Sequence, residues 1–488
     1  MARKISLLIK GESYKKTEIL ANMLHGINID ICAFVNVLQL HPLLEKYNHP
    51  GPRYTSYPTA PAFQENFHSN ERKAMLEHTT QDISLYVHLP FCDTLCYFCG
   101  CTMLVSNNRD RIAEYLRYLN TEIEATGKLL KGRTIVQLHW GGGTPTQLFP
   151  DEIRLLGQKL HEHFTIDATA EISVEIDPRN VTEDHIRALS EVGFRRASIG
   201  VQDMDEKVQQ AINRIQSGFV TKQVIDWCRK YGFESINIDL IYGLPFQTEQ
   251  TFASTLSKVL TFQPDRLALY NFAYVPWLKP HQKLIQIDDL PETDEKLMLF
   301  AKATDHFLDA GYEYIGMDHF ALAGDELSNA RRSGTLQRNF QGYSTKAGCD
   351  LVGLGMSAIS HIGPWFSQNE KVLDKYYKKL DRNEFPVVSG LEMVTDDRIR
   401  EYAIMRLMCD LKLDISQVEN KFTIDFNDYF RSSLELLKSL EVDGLVCISP
   451  KTISITENGR FFLRNIAMCF DAYLPTMQQT KPMFSKTL

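Results

Sequence analysis

Between Leu85 and Phe320 one pattern recurs, and it constrains the fold more than anything else in the chain. A short apolar or β-branched run is followed by a turn and then by an amphipathic stretch at helical spacing. The runs are LYVHL, IVQLHW, EISVEI, RASIGV, SINIDLIY, RLALYNF and YEYIGM; between them lie stretches such as TEDHIRALSEVGF, TKQVIDWCRKYGF and TEQTFASTLSKVL. Several of these open on a Thr placed to cap a helix. Six or seven such units predict a parallel sheet covered by helices, and their evenness favours a barrel or part of one. An open doubly wound sheet is the alternative.

The 488 residues suffice for two or three domains, and the formal net charge of −8 argues against a chain built as a whole for nucleic acid or a membrane surface. No apolar run reaches the roughly 18 residues of a membrane span. Ten cysteines are too few for a disulfide scaffold, and Cys32, Cys228, Cys349, Cys409, Cys447 and Cys469 are scattered singly. These features predict a cytoplasmic protein with reduced thiols.

After about Leu380 the pattern changes. DDRIREYAIMRLMCDL, ISQVENKF and DFNDYFRSSLELLKSL read as helices, GLVCIS and TISIT as a hairpin, and GRFFLRNIAMCFDAYL as a further helix. This is a winged-helix pattern, but Asp396 to Asp471 holds 13 acidic against 10 basic residues, so a packing module or lid is expected rather than a phosphate-binding domain. Residues 1–38 fit neither half. The expected division is 1–38 an N-terminal extension, 39–80 an arm, 81–330 the barrel, 331–380 a flanking connection and 381–488 a helical C-terminal domain.

Four cysteines crowd the stretch FCDTLCYFCGC directly after the first strand, spaced Cys92-x3-Cys96-x2-Cys99-x-Cys101. Structural zinc normally takes two knuckles, and only one is present, with His88 as the nearest additional ligand. A disulfide in so tight a cytosolic loop is disfavoured. An iron–sulfur cluster fits best: three thiolates hold three corners of a cubane and leave one iron open for a ligand. Tyr97 and Phe98 would keep water from the sulfurs. LHWGGGTPT, after the second strand, lacks the lysine of a P-loop and the spacing of a dinucleotide fingerprint. Its glycines let backbone approach a ligand. Both motifs sit at C-terminal strand ends, the active face of a β/α barrel.

Cys-x3-Cys-x2-Cys after one strand and Gly-Gly-Gly-Thr-Pro after the next resemble the radical S-adenosylmethionine (AdoMet) enzymes. GPRYTSYPTA, YVHLPFCDTLCYFCGC, QLHWGGGTPT, VEIDPR, GVQD, NIDLIYGLP, IGMDHFA, RNFQGY and RNIAMCFDAYL are similar, in that order, to blocks of one branch, the oxygen-independent coproporphyrinogen III oxidases, from about Leu40 to the C-terminus. The resemblance implies an α/β fold, a partial (β/α)6-type barrel with a smaller, mainly helical, winged-helix-like C-terminal domain. It implies that Cys92, Cys96 and Cys99 bind a 4Fe–4S cluster, with Tyr86, Phe98, Gly142, Glu175 and Ile359 at a cluster-bound AdoMet. Gly143, Thr144, Gln202, Arg214, Asp239 and Ala273 would contact a second AdoMet. Taken alone, Glu175 and Asp239 also suit a helix cap or an ion pair.

The implied reaction is oxidative decarboxylation of two propionates of coproporphyrinogen III to vinyl groups. It brings a reductant protein, a terminal electron acceptor of unspecified identity and a monomeric enzyme, with no nucleic-acid or membrane partner. Cys101 is expected not to be a cluster ligand, since three thiolates already serve the cubane. Arg53, Arg331, Arg332 and Arg338 are candidates for the substrate carboxylates. A radical-AdoMet-like haem chaperone and a DNA-binding regulator are the competing readings; Cys101 and GPRYTSYP favour the oxidase over the chaperone. The arm carrying that segment is expected to lie over the barrel mouth.

Overall fold

The computed structural model describes residues 42–477 and 484–487; the expected 1–38 extension lies outside them. Six strands run parallel in chain order: β1 Ile83–Leu89, β2 Thr134–Gly142, β3 Thr165–Ile176, β4 Arg196–Gln202, β5 Ser235–Tyr242 and β6 Arg266–Asn271. Five helices make the crossovers: α1 Arg109–Leu129, α2 Pro150–His163, α3 Glu183–Val192, α4 Gly218–Lys230 and α5 Glu249–Leu260. Side chains cap α1, α4 and α5 at Asn108, Ser217 and Thr248, each accepting a backbone N–H that the first turn leaves unpaired.

The strands alternate, and the alternation sets the character of the barrel. In β1, Leu85 and Val87 are fully buried against helices, each worth about 1.5–3 kcal/mol. Ser84, Tyr86 and His88 occupy the intervening positions and point to the other face. β5 repeats this with Ile236, Ile238 and Leu240 against Asn237 and Asp239. The outer face is therefore apolar and the lumen polar, a distinction that the apolar look of the runs conceals.

Two expectations need correction. YEYIGM is not a seventh parallel barrel strand: β7 Tyr312–Gly316 pairs antiparallel with β8 His319–Leu322, which pairs antiparallel with β6. The parallel neighbour on the other side of β1 is β9 Asp350–Leu354. β9 continues antiparallel into β10 Ile359–Ile362, β11 Trp365–Asn369 and β12 Val387–Glu392. The stretch 331–380, expected as a flanking connection, thus builds one side of the sheet, and β12 carries the sheet past residue 381. These strands are short and, from β9 to β11, follow one another without an intervening helix, so the repeating pattern does not reveal them. The sheet is one twelve-stranded layer, ordered β12-β11-β10-β9-β1-β2-β3-β4-β5-β6-β8-β7.

The C-terminal unit has helices at Thr395–Asp410, Ile415–Phe422 and Arg431–Val442, with a three-stranded wing of Lys412–Asp414, Val446–Ile448 and Thr452–Ile455. It packs on the barrel flank; Tyr343 donates to the Met408 carbonyl at 2.8 Å. The tyrosines of the arm are tied to the C-terminal unit. Tyr54 and Tyr57 are at most 1% exposed, and their hydroxyls are spent on the C-terminal unit. Tyr54 donates to Asp471 at 2.9 Å, and the Tyr57 hydroxyl accepts from the Ala472 N–H at 3.0 Å. Among the described residues no helix is long and apolar enough to cross a membrane.

Candidate active site at the mouth of the barrel

The cysteine loop leaves β1 and is held against the glycine-rich loop that leaves β2. Gly143 N–H donates to the Leu89 carbonyl and Thr144 N–H to the Phe91 carbonyl, each at 2.9 Å. The Cys92 Sγ lies 3.3 Å from the Thr144 hydroxyl. Glycine is required where these loops cross. Gly142 has φ +118°, and a Cβ there would sit 2.6 Å from the His88 ring; a Cβ on Gly143 would meet the Pro90 carbonyl oxygen at 2.5 Å.

Two guanidiniums face the second thiol. Arg179 Nη2 lies 3.5 Å and Arg214 Nη1 3.6 Å from Cys96 Sγ. Both arginines also pair with Asp177, at 2.6 and 2.8 Å. Burial alone would raise the Asp177 carboxyl, but Arg214 and Arg179 outweigh it and hold the group below its usual range. Asp177 and Arg179 were missed as site residues, although the VEIDPR block contains both; spacing does not say which way side chains after a strand turn.

Cys99 and Cys101 are in side-chain contact, a hydrogen bond from Cys101 bringing the Cys99 thiol down to about 7. Burial pushes Cys92 up to about 12. Cys101 is solvent-accessible yet close to Tyr86 and Glu175, so it opens on the lumen side of the loop. Among the described residues no three His, Cys, Asp or Glu side chains converge on one point as ligands of a single ion would. A multi-iron cluster does not demand that convergence, because each thiolate binds a different iron. The donor set, three thiols beside two arginines, suits an anionic cluster.

Glu175 faces the lumen from the end of β3. It accepts the Gly142 N–H at 3.0 Å and lies 3.4 Å from His139, whose ring stacks on Tyr86. Burial would raise this carboxyl, but His139 and the Gly142 N–H leave it below its usual range. Asp239 on β5 differs: burial lifts it to about 7 even though Ser198 and Asn237 donate to it at 2.9 and 2.7 Å. Both carboxyls line one cavity of about 150 Å³ inside the barrel, with Tyr270 and His319. Gln202 ends β4 with φ +68°, its side chain beside Arg214 at Gly200. Phe98 packs with the cluster of Val208, Ile212 and Phe272. The Phe98 and Ala273 carbonyls both accept from Gln282, at 3.0 Å, which ties the cysteine loop to the segment after β6. Ile359 opens β10, two residues after Ser357, whose hydroxyl lies 3.5 Å from His88.

Of the arginines, Arg332 pairs with Glu313 at the exposed flank and Arg331 donates to the Tyr314 carbonyl, both away from the lumen. Arg53 pairs with Asp318 and lies over the Tyr270 ring at 5.4 Å. Arg338 is 8% exposed and lies 4.7 Å over the Tyr343 ring.

A model of the radical SAM superfamily matches residues 86–259, and one of the HemN C-terminal domain matches residues 395–462. The chain is 45% identical over 433 residues to the oxygen-independent coproporphyrinogen III oxidase of Escherichia coli, covering 88% of this chain and 95% of that protein. It is 43% identical over 452 residues to the Pseudomonas aeruginosa protein of the same name, covering 91% and 98%. The solved structure of the Escherichia coli enzyme, described as a radical SAM enzyme, superposes with a TM-score of 0.84 at 44% identity, covering 86% of this chain and 97% of that one. Partial barrel, thiol loop, glycine-rich loop and C-terminal unit all lie within these matches, and the chain belongs to the oxygen-independent coproporphyrinogen III oxidase family of radical AdoMet enzymes.

Proposed function

We propose that this protein converts coproporphyrinogen III to protoporphyrinogen IX without oxygen, removing two propionate carboxyls as carbon dioxide and leaving vinyl groups. For each propionate a hydrogen atom leaves the β-carbon, carbon dioxide leaves the carboxyl, and one electron passes to an acceptor. The observation that carries this reading is the three-thiol loop locked against the glycine-rich loop at the mouth of a polar lumen, in a chain 45% identical to a curated oxidase across nearly its whole length.

Cys92, Cys96 and Cys99 would hold the 4Fe–4S cluster, and Cys101 would stay free on the lumen side. When bound, the cluster and AdoMet supply one-electron cleavage of AdoMet to methionine and a 5′-deoxyadenosyl radical. The chain's own residues orient and shield. Arg179 and Arg214 offset charge at Cys96, and Glu175 fixes the Gly142 backbone while its other oxygen meets His139. Tyr86, Phe98, Gly142, Glu175 and Ile359 would surround a first AdoMet. Gly143, Thr144, Gln202, Arg214, Asp239 and Ala273 would surround a second. Arg53 and Arg338 would hold the substrate's carboxylates. A reductant protein would supply the electron.

The test is anaerobic: reduced, cluster-loaded protein with AdoMet, coproporphyrinogen III and an electron acceptor. Protoporphyrinogen and about two molecules of 5′-deoxyadenosine per substrate are expected, one for each radical decarboxylation. Stoichiometric haem binding without decarboxylation would instead identify a chaperone.

A further inference from the structure

The barrel cavity has one wall that its own hydrogen bonds do not satisfy. His319, the first residue of β8, presents its Nδ1 without a partner, and so does Gln341 with its amide nitrogen; both residues line the cavity. Buried polar atoms are nearly always paired, and two unpaired ones on one wall point to a missing ligand. A third lies just behind. Arg338 is more than nine-tenths buried, its Nε donates to the Tyr54 carbonyl at 3.3 Å, and its Nη1 has no partner. The Tyr270 and Tyr343 rings stand edge-on to the His319 ring at 5.9 and 5.2 Å and give this wall aromatic sides.

Three cations bear on His319: Arg53 is engaged by Asp318 and Arg266 by Asp325 and Glu326, which leaves Arg338 as the one with an unpaired nitrogen beside this wall. Burial first, and then these cations, drive the imidazole down to about 3, so it stands neutral with one N–H to give. Glu175 and Asp239 line the same cavity, but Glu175 is occupied by His139 and Gly142, and Asp239 titrates near 7. Two unpaired donors beside the unspent nitrogen of Arg338 are what a carboxylate requires. A cavity of about 150 Å³ accepts a short acid side chain and not a macrocycle.

We propose that His319, Gln341 and Arg338 form a carboxylate site inside the barrel, which takes one propionate of the tetrapyrrole. This rests on the function proposed above and adds residues that are not among its AdoMet contacts. The site positions the substrate's acid arm; it does not take part in the bond-breaking.

The test uses the anaerobic, cluster-loaded full-length protein and two stable ligands, coproporphyrin III and its tetramethyl ester, with binding read by fluorescence. In the wild-type protein the free acid should bind more tightly than the ester. His319→Ala and Gln341→Glu should each weaken the acid by at least about tenfold, as losing a donor to a charged group does. Both should leave the ester, the iron content and the AdoMet affinity within about twofold. Gln341→Glu keeps the side-chain shape, so it stays informative if His319→Ala folds poorly. Unchanged acid binding, equal loss for acid and ester, or no binding of coproporphyrin to the wild type would overturn the site. A fall in AdoMet affinity would make AdoMet's own carboxylate the occupant and would also overturn the propionate assignment. Absence of decarboxylation with intact acid-selective binding would count against the proposed reaction alone.

Discussion

The two ends of the barrel lumen are built from the same strands and treated in opposite ways. At the N-terminal ends, Arg196 pairs with Glu326 at 2.6 Å, and Arg266 pairs with both Asp325 and Glu326 at 2.9 and 2.7 Å. Each of these charges is met by another protein charge. At the C-terminal ends the backbone turns left-handed, with strain at Gln202, and charge is left in reserve. Gly142 and Gln202 have positive φ, Arg214 keeps a buried Nε unpaired, and thiols stand beside two arginines. Strain and unmatched groups persist only where surrounding structure enforces them, and they mark the end that binds. The matched end holds the barrel together.

The largest effect should come from the thiols. Cys92→Ala, Cys96→Ala and Cys99→Ala should each lose the cluster and all turnover, while Cys101→Ala keeps its iron. Anaerobic iron counting and visible absorption decide, and loss of iron in the Cys101 variant would break the assignment of three ligands. Next comes the left-handed backbone. Gly142→Ala would put a side chain at a left-handed φ and against the His88 ring, a cost of about 1–3 kcal/mol in strain alone. It should weaken AdoMet by more than about tenfold, about 1.4 kcal/mol, with a normal circular dichroism spectrum.

The opposite end should respond in stability instead. Arg266→Met leaves Asp325 and Glu326 without one partner; Arg266 is 13% exposed, so the loss should be about 2 kcal/mol in chemical denaturation, with iron content unchanged. A variant that loses iron but not stability would erase the contrast between the ends. The smallest effect concerns Asp239. Its folded-state titration near 7 lies above the ordinary value of 3.8, so the native state holds a proton that the unfolded state gives up. Its contribution is fully present below about pH 4 and is lost as pH rises through 7. Asp239→Asn should therefore flatten the fall in denaturation midpoint between about pH 4 and 7, and an unchanged slope would show that Asp239 does not carry it.

Much of the fold is legible because local rules agree with it. Each of the first six runs became a parallel strand, and the helices between them, with their caps, lie where 3.6-residue spacing predicts. β9 to β12 were not legible: they are short, they pair antiparallel beyond β9, and nothing local distinguishes them from loops. The seventh run is a strand, but an antiparallel one, since strand partners are chosen by packing and not by composition.

For the site, the sequence by itself determined which residue types stand at which strand ends: the thiols after β1, the glycines after β2, Glu175 on β3 and Asp239 on β5. Covalent order and the period of a strand set these, and both can be read from one dimension. Only the tertiary structure decided which groups meet. Arg179 and Arg214 converge on Cys96 from segments more than 80 residues away. His319 and Gln341 turn unpaired nitrogens into the same cavity, while Arg331 and Arg332 face away from it. The direction of a side chain depends on the twist of the sheet and on what packs behind it, and those interactions come from residues distant in the chain.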